Sequence, residues 1–299
     1  MVTLGGGLVL FVILLLLFKF VKTSYIALRL NTTVVNSGTL EEVYEREALI
    51  IKDEEIVRIP YKGEVNHRAA EGERVKQGSV LMEITVEGAS GHHMERPVYS
   101  YYAPISGVIS YEVDGYEATL TPQSIGSLNL QSVYESVGKG GPTKAADHGG
   151  INVKIIDNLK PAYLCFSKND MDLSRLKDID KPVLRVRHEG DIHDGRVVKE
   201  SEQMILLRLD HPPSGLIKKR KCVVEIISRR EKGVIVPTSS LLKTGEDYGL
   251  YRISGSGPRR VQVEVKGIFD ELAVVQGIES GTEIISNPRI LGKEGEFVE

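Results

Sequence analysis

The chain has 299 residues, with 38 basic and 41 acidic side chains and a formal net charge of −3, which gives no electrostatic case for nucleic acid. Its length accommodates one large or two to three small domains. The two cysteines, Cys165 and Cys222, lie far apart in apolar stretches and read as small buried hydrophobes, with their pairing left open.

From Val2 to Phe18, VTLGGGLVLFVILLLLF runs for 17 residues without a charge. At about 1.5 Å per residue this spans most of a hydrocarbon core of about 30 Å, and Lys19 and Lys22 can snorkel so that the helix reaches about Val21. A cleaved signal peptide would want a basic leader and an A-x-A-like site, and neither is visible. The expectation is an uncleaved single-span anchor over residues 1–22. Lys19, Lys22 and Arg29 all follow the span, so the positive-inside rule taken alone puts the bulk in the cytoplasm.

Beyond the span, short runs of Val, Ile and Tyr at period two, bounded by Gly, Pro and Asp, predict strands: ALIIKDEEIVRIPYKGEV, GVISYEVDGYEATL, INVKIID, AYLCFS, KCVVEIISRREKGVIVP and RRVQVEVKGIF among them. Their spacing suggests several small barrels or sandwiches. Only TPQSIGSLNLQSVYESVGKGG reads as helical, for about three turns, with Ile125, Leu128, Val133 and Val137 as its apolar positions. Gly138 to Gly150 reads as a linker.

The most specific pattern is GEVNHRAAEGERVKQGSVLMEI, Gly63 to Ile84. Glu71-Gly72 and Gln77-Gly78 are turn signals on either side of Val75, and Val80, Leu81 and Ile84 supply the buried face of the next strand. YYAPISGVISYEV repeats the theme through Pro104 and Gly107. The two halves resemble the interlocked hammerheads of the biotinyl/lipoyl fold, with Gly63, Gly72, Val75, Gly78, Leu81, Pro104 and Gly107 as the residues that carry the motif. A carrier domain places a lysine at the exposed hairpin between its halves. Here that connection, GASGHHMERPVYSYY from Gly88 to Tyr102, contains none. Lys76 belongs to a turn inside the first half and Lys62 precedes the domain, so a cofactor arm has no attachment point and no cofactor is expected. A carrier subunit acylated on Lys62 or Lys76 is the enzyme-class alternative.

A lipoyl-like domain without its carrier lysine, preceded by an anchor and followed by more β structure, resembles the HlyD-like membrane fusion proteins, the adaptors of efflux and secretion systems. VNSGTLEEVYEREALIIKDEEIVRIPYKGEV resembles the strands that lead into their hammerhead. VKIIDNLKPAYLCF through GRVVKESEQMILLRLDHP resembles the barrel that follows. Val236, Pro237 and Leu241 match the VP-x-x-x-L stretch that opens the membrane-proximal domain, and Gly277, Ile278, Gly281 and Ile284 stand where the family has a GL-x-x-G-x-x-V turn and strand. SGVISYEVDGYE is most similar to adaptor-like proteins of single-membrane, Gram-positive-type bacteria. Periplasmic adaptors insert a long helical hairpin between the hammerhead halves. Fifteen residues containing Gly88, Gly91 and Pro97 cannot form two antiparallel helices, so docking to an outer-membrane channel through a hairpin tip is not expected.

Other constellations read as ordinary surface. His188, Glu189, Asp191, His193 and Asp194 in RHEGDIHDG include metal-competent side chains but suit a polar turn between strands, and no metal site is expected. The basic runs Lys218 to Lys221 and Arg229 to Lys232 suit solvated strand ends, with anionic headgroups as the alternative. There is no G-x-S-x-G, Walker loop, H-E-x-x-H or Cys-x-x-Cys, and no enzyme is expected.

The fold class expected is mostly β: an N-terminal transmembrane helix, a lipoyl/biotinyl-like hammerhead, a β-barrel and a membrane-proximal β domain. The expected boundaries are 1–22 for the anchor, 23–60 for incoming strands, 61–115 for the lipoyl-like barrel-sandwich hybrid, 116–150 for the short helix and linker, 151–227 for the barrel and 228–299 for the membrane-proximal domain. The resemblance implies a single-pass protein of the cell membrane with its bulk outside the cytoplasm. It would be oligomeric and act with an ABC-type or other transporter in export. The alternative is an envelope scaffold in cell division or wall assembly that uses the same fold without a transporter. The loop carrying His92, His93, Tyr99 and Tyr101 is the candidate docking site for a partner.

Overall fold

A computed structural model of the chain describes residues 29–86, 96–138, 151–171, 173, 182–255, 257–291 and 296–297. The candidate anchor at 1–22, the residues His92 and His93, and nearly all of the linker lie outside the described residues. No helix among the described residues is long and apolar enough to cross a membrane. The chain forms two compact units, one from the residues up to Glu42 together with Arg229–Glu299, the other Val43–Ser228.

In the first unit an early and a late strand of the chain pair. Strand β1 (Thr32–Val34) pairs with the late strand Glu283–Ile285, Thr33 facing Ile284. The long β2 (Asn36–Ile51) then runs from this unit into the second.

In the second unit, β3 (Glu54–Ile59), β4 (Gly63–His67), β5 (Arg74–Val75), β6 (Val80–Val86), β7 (Val98–Tyr102), β8 (Gly107–Ser110) and β9 (Ile151–Ile156) form two sheets. One has the order β4-β6-β7 and the other β3-β9-β8-β5. Each sequence half-motif contributes to both: β4 and β6 enter one sheet while β5 crosses to the other, and β7 and β8 divide likewise. Val75 faces Gly107 and Arg74 faces Val108 in the crossing pair. This is the interlocked hammerhead, closed over a core of Ile59, Val75, Leu81, Met82, Ile84, Ile109, Val153 and Ile155, whose burial supplies the main driving force for the module. The mostly β architecture and the hybrid expected from the sequence are therefore present.

Between β8 and β9 the predicted three-turn helix is shorter. A 3-10 turn, Pro122–Ser124, is capped by Thr121, and a separate α-helix, α1 (Leu130–Ser136), starts at Asn129, whose side chain accepts from the Ser132 N–H. The helix starts there because Asn offers its first turn a side-chain acceptor.

A closed barrel follows: β10 (Ala162–Ser167), β11 (Val183–His188), β12 (Asp191–Glu200), β13 (Met204–Leu209), a short helix α2 (Ser214–Lys218) and β14 (Lys221–Pro237). The strand order runs β14-β11-β12-β13-β10-β2, and β14 pairs back onto β2 to close it, with the Ile50 N–H donating to the Arg220 carbonyl at 2.8 Å. Period two sorts the side chains. Ile50, Leu164, Phe166, Ile205 and Leu207 fill the interior with Leu216 and Ile217 of α2. Leu49, Ile51, Cys165 and Leu206 point outward and are covered by Tyr116, Leu120, Leu130 and Val137. Cys165 and Cys222 are both buried and free, and burial pushes the Cys165 thiol up to about 12.

The first unit is completed by β15 (Leu242–Thr244), β16 (Asp247–Ser254), β17 (Gly257–Phe269), β18 (Leu272–Gln276), β19 (Glu283–Ile285) and β20 (Glu296–Phe297). The end of β14 pairs with β18, Val236 facing Ala273. Val35, Val236, Leu241, Leu250, Val263, Val275 and Ile284 form its core.

Candidate functional site

The hammerhead residues divide by role. Gly72 and Gly78 sit at φ +79° and +82°, a region that costs glycine nothing and other residues strain. A Cβ on Gly107 would strike the Ile156 carbonyl and one on Gly63 that of Thr85. Leu81 is the extra residue of a bulge in the β6–β7 ladder and is fully buried, and Val75 is nearly so. Pro104 is exposed beside β7.

Two features of the second unit stand out beyond this scaffold. The first is the outer end of β7. Tyr99 stacks on Tyr61 with ring centroids 4.4 Å apart and planes 12° apart. Tyr101 lies against the hybrid core; burial, then the neighbouring Tyr61 and Tyr99 hydroxyls, raise its pKa. Val98 and Tyr102 are 57 % and 55 % exposed. Tyr99 and Tyr101 thus lie on one strand, while His92 and His93 are outside the described residues.

The second feature was not anticipated from the sequence. Where the chain enters and leaves the hybrid, six charged groups meet: Lys52 after β2, Glu54 in β3, Asp114 and Glu117 after β8, Lys154 in β9 and Arg220 before β14. Lys52, Lys154 and Glu117 are each 2 % exposed. Glu54 is the hub. Arg220 Nη2 donates to its Oε1, and Lys154 and Lys52 stand 3.4 and 3.7 Å from its Oε2. Arg220 Nε also donates to Asp114 Oδ2 at 2.8 Å, and Nη1 to the Ile50 carbonyl at 3.3 Å. Lys154 donates to Glu117 Oε1 at 3.1 Å. Glu117 in turn accepts the Asp114 and Gly115 N–H groups at 2.8 and 2.9 Å.

Lys52 extends the network into the barrel. Its ammonium donates to the carbonyls of Ile217 and Lys219 at the end of α2, groups that a helix terminus otherwise leaves open. Burial lowers the Lys52 pKa to about 8, with Glu54 pulling the other way and Arg220 and Lys154 adding to the depression. Burial alone would raise Asp114, but its hydrogen bonds and charge contact with Arg220 hold the carboxyl below its ordinary value. Burial would also lower Arg220, and Glu54 and Asp114 together hold it above its ordinary value. Three cations face three anions, and their contacts link the hybrid's strands to the barrel's rim. The available signal was Lys154 inside the apolar run INVKII and the cluster KDEE at Lys52 to Glu55.

The remaining candidates are accounted for locally. His188 to Asp194 form the tight β11–β12 hairpin around Glu189 and Gly190, both at positive φ. No cluster of metal-competent side chains occurs among the described residues. Of the basic runs, Arg220 is interior, Lys221 pairs with Glu47 at 3.2 Å, Arg229 donates to the Lys266 and Ile268 carbonyls and Arg230 pairs with Glu41 at 3.0 Å. These side chains are held by the protein's own partners.

Residues 54–157 match the family described as the RND-related barrel-sandwich hybrid domain, which is the module built by β3 to β9. No curated protein matches the chain. Among solved structures it is similar to three bacterial chains. ZneB from Cupriavidus metallidurans is 13 % identical at a TM-score of 0.33, over 86 % of this chain and 92 % of that one. MacA from Actinobacillus actinomycetemcomitans is 11 % identical at 0.34, over 85 % and 99 %. A chain described as an efflux transporter from Bacteroides eggerthii is 12 % identical at 0.31, over 90 % and 97 %.

Proposed function

We propose that the protein is a non-enzymatic, membrane-anchored adaptor that acts with a membrane transporter in export, its bulk lying outside the cytoplasm and its copies associating. The observation that carries this reading is a complete barrel-sandwich hybrid whose connecting segment, Gly88 to Tyr102, has no lysine. A swinging-arm scaffold without an arm contributes shape. The buried ion network supports the same reading: it fixes the hybrid onto the barrel, as a part that holds a partner at a set distance requires.

The rival is an envelope scaffold without a transporter. It is favoured by the shortness of that same connection, which offers no helical hairpin for an outer-membrane channel. Detergent extraction and co-purification of the full chain separate the two. A transporter in the complex is the expected result, whereas cell-division or wall-assembly proteins without one would replace the adaptor reading. Topology is checked by a cysteine introduced at Ser90 and labelled in intact cells with a membrane-impermeant maleimide. Labelling is expected, and a site protected until the cells are lysed would refute both readings.

A further inference from the structure

Among the described residues β7 lies at the edge of its sheet, outside β6, and its pairing pattern shows which backbone groups have no partner there. The Val86 N–H donates to the Pro97 carbonyl at 3.0 Å, and Ala103 exchanges bonds with the 78–79 turn, Gly78 N–H to Ala103 carbonyl and Ala103 N–H to Ser79 carbonyl. With Tyr99 facing Ile84 and Tyr101 facing Met82, the alternation of an antiparallel ladder turns the odd-numbered residues toward β6. The N–H and C=O groups of Val98, Ser100 and Tyr102 therefore point away from the sheet.

Such a row is a template for another strand, and proteins ordinarily blunt it with charge, proline or a very short edge. The opposite edge of this sheet, β4, carries Glu64 and His67 and follows Lys62. β7, VYSYY, carries no charge. It is also close to palindromic about Ser100. Laid antiparallel on a second β7 with a two-fold axis at Ser100, Val98 meets the other copy's Tyr102 and Ser100 meets Ser100, each pair exchanging both outward bonds. Tyr99 then meets Tyr101 in the intervening pairs, beside the existing Tyr61–Tyr99 stack. An isologous contact needs this self-complementarity, and aromatic and aromatic–aliphatic cross-strand pairs are the stabilising kind.

We infer that β7 is an association edge at which two copies of this chain join their β4-β6-β7 sheets into one continuous sheet across a two-fold axis at Ser100. The inference rests on the reading of the hybrid as a docking module and names a second copy as its occupant.

The test is the mass of the full chain in detergent, by sedimentation or light scattering over a concentration series. The unmodified chain is expected to associate. Ser100→Pro removes the axial N–H, which faces outward and has no partner within the sheet, so the fold is kept while dimer dissociation strengthens by roughly 100-fold. Tyr102→Lys is the second variant and is expected to act in the same direction through the side chains. Glu64→Lys on the opposite edge should leave association unchanged. A monomeric unmodified chain overturns the inference, and so do Ser100→Pro and Tyr102→Lys chains that associate as tightly as the unmodified one. Transporter co-purification is read separately on the same samples, so a transporter retained by variants that associate as tightly as the unmodified chain removes this inference and leaves the adaptor reading standing.

Discussion

The two ends of the hybrid treat polarity in opposite ways. At its junction with the barrel, six charged groups pack together with Glu54 as their hub, and the backbone carbonyls of Ile50, Ile217 and Lys219 are drawn into the network. At β7, an uncharged strand leaves its outward backbone and the side chains of Val98 and Tyr102 in solvent. Charge withdrawn from water gives little net stability but makes a wrong arrangement expensive, because any one missing partner strands the rest. An uncharged edge does the reverse and accepts another strand readily. The first suits a joint whose angle must not change, the second a surface that awaits company.

The comparison is broken most sharply at the hub. Glu54→Gln leaves Lys52, Lys154 and Arg220 facing only Asp114 and Glu117, and the loss of a buried charge partner costs about 3–5 kcal/mol. Urea unfolding of the full chain should show a loss of this size, with faster hydrogen exchange in β3, β9 and α2 than in β16 and β17. A loss under about 1 kcal/mol would mean that the groups are less tightly coupled than their distances imply.

How far the sequence reveals each end follows from the range of the interactions involved. The hammerhead is written in local signals: paired turns at Gly72 and Gly78, an apolar alternation through Val80 to Ile84, and the repeat at Pro104 to Gly107. Each of these acts within a few residues. The junction is not local. Glu54 and Arg220 are 166 positions apart and Arg220 and Asp114 are 106 apart, so Arg220 in KKRK reads as one more exposed cation. Nor does periodicity tell that β9, after a glycine-rich linker, returns to lie between β3 and β8. Its apolar run fits a strand in any buried sheet. The β7 edge is intermediate: its tyrosines are visible as a docking candidate, but which backbone groups face outward depends on the register with β6.

The next largest effect is a dependence on pH. Lys52 titrates near 8 in the folded chain and near 10.4 when unfolded. Between those values the unfolded chain holds more protons, so stability rises with pH across that window. The charged Lys52 is a cost that is fully present below about pH 8 and relieved above it, by about 3 kcal/mol in all. Unfolding curves of the unmodified chain and Lys52→Met should therefore diverge from pH 8 to 10, the unmodified chain gaining relative to the variant. Parallel curves would show that Lys52 keeps its proton through the range and that the junction is wetter than its burial indicates.

The smallest effect tests whether the hybrid's turns matter as much as its joint. Gly78 sits at φ +82° with open space where a Cβ would go, so Gly78→Ala adds only the strain of a left-handed backbone, about 1 kcal/mol. Gly107→Ala has the opposite character: its φ needs no glycine, but its Cβ would run into the Ile156 carbonyl, and relief requires β8 and β9 to part. It should cost about 1–3 kcal/mol. The pair separates conformational strain from steric conflict within one module. If Gly78→Ala proved the more damaging of the two by thermal unfolding, the turn between β5 and β6, rather than the close contact of β8 with β9, would be what holds the two half-motifs interlocked.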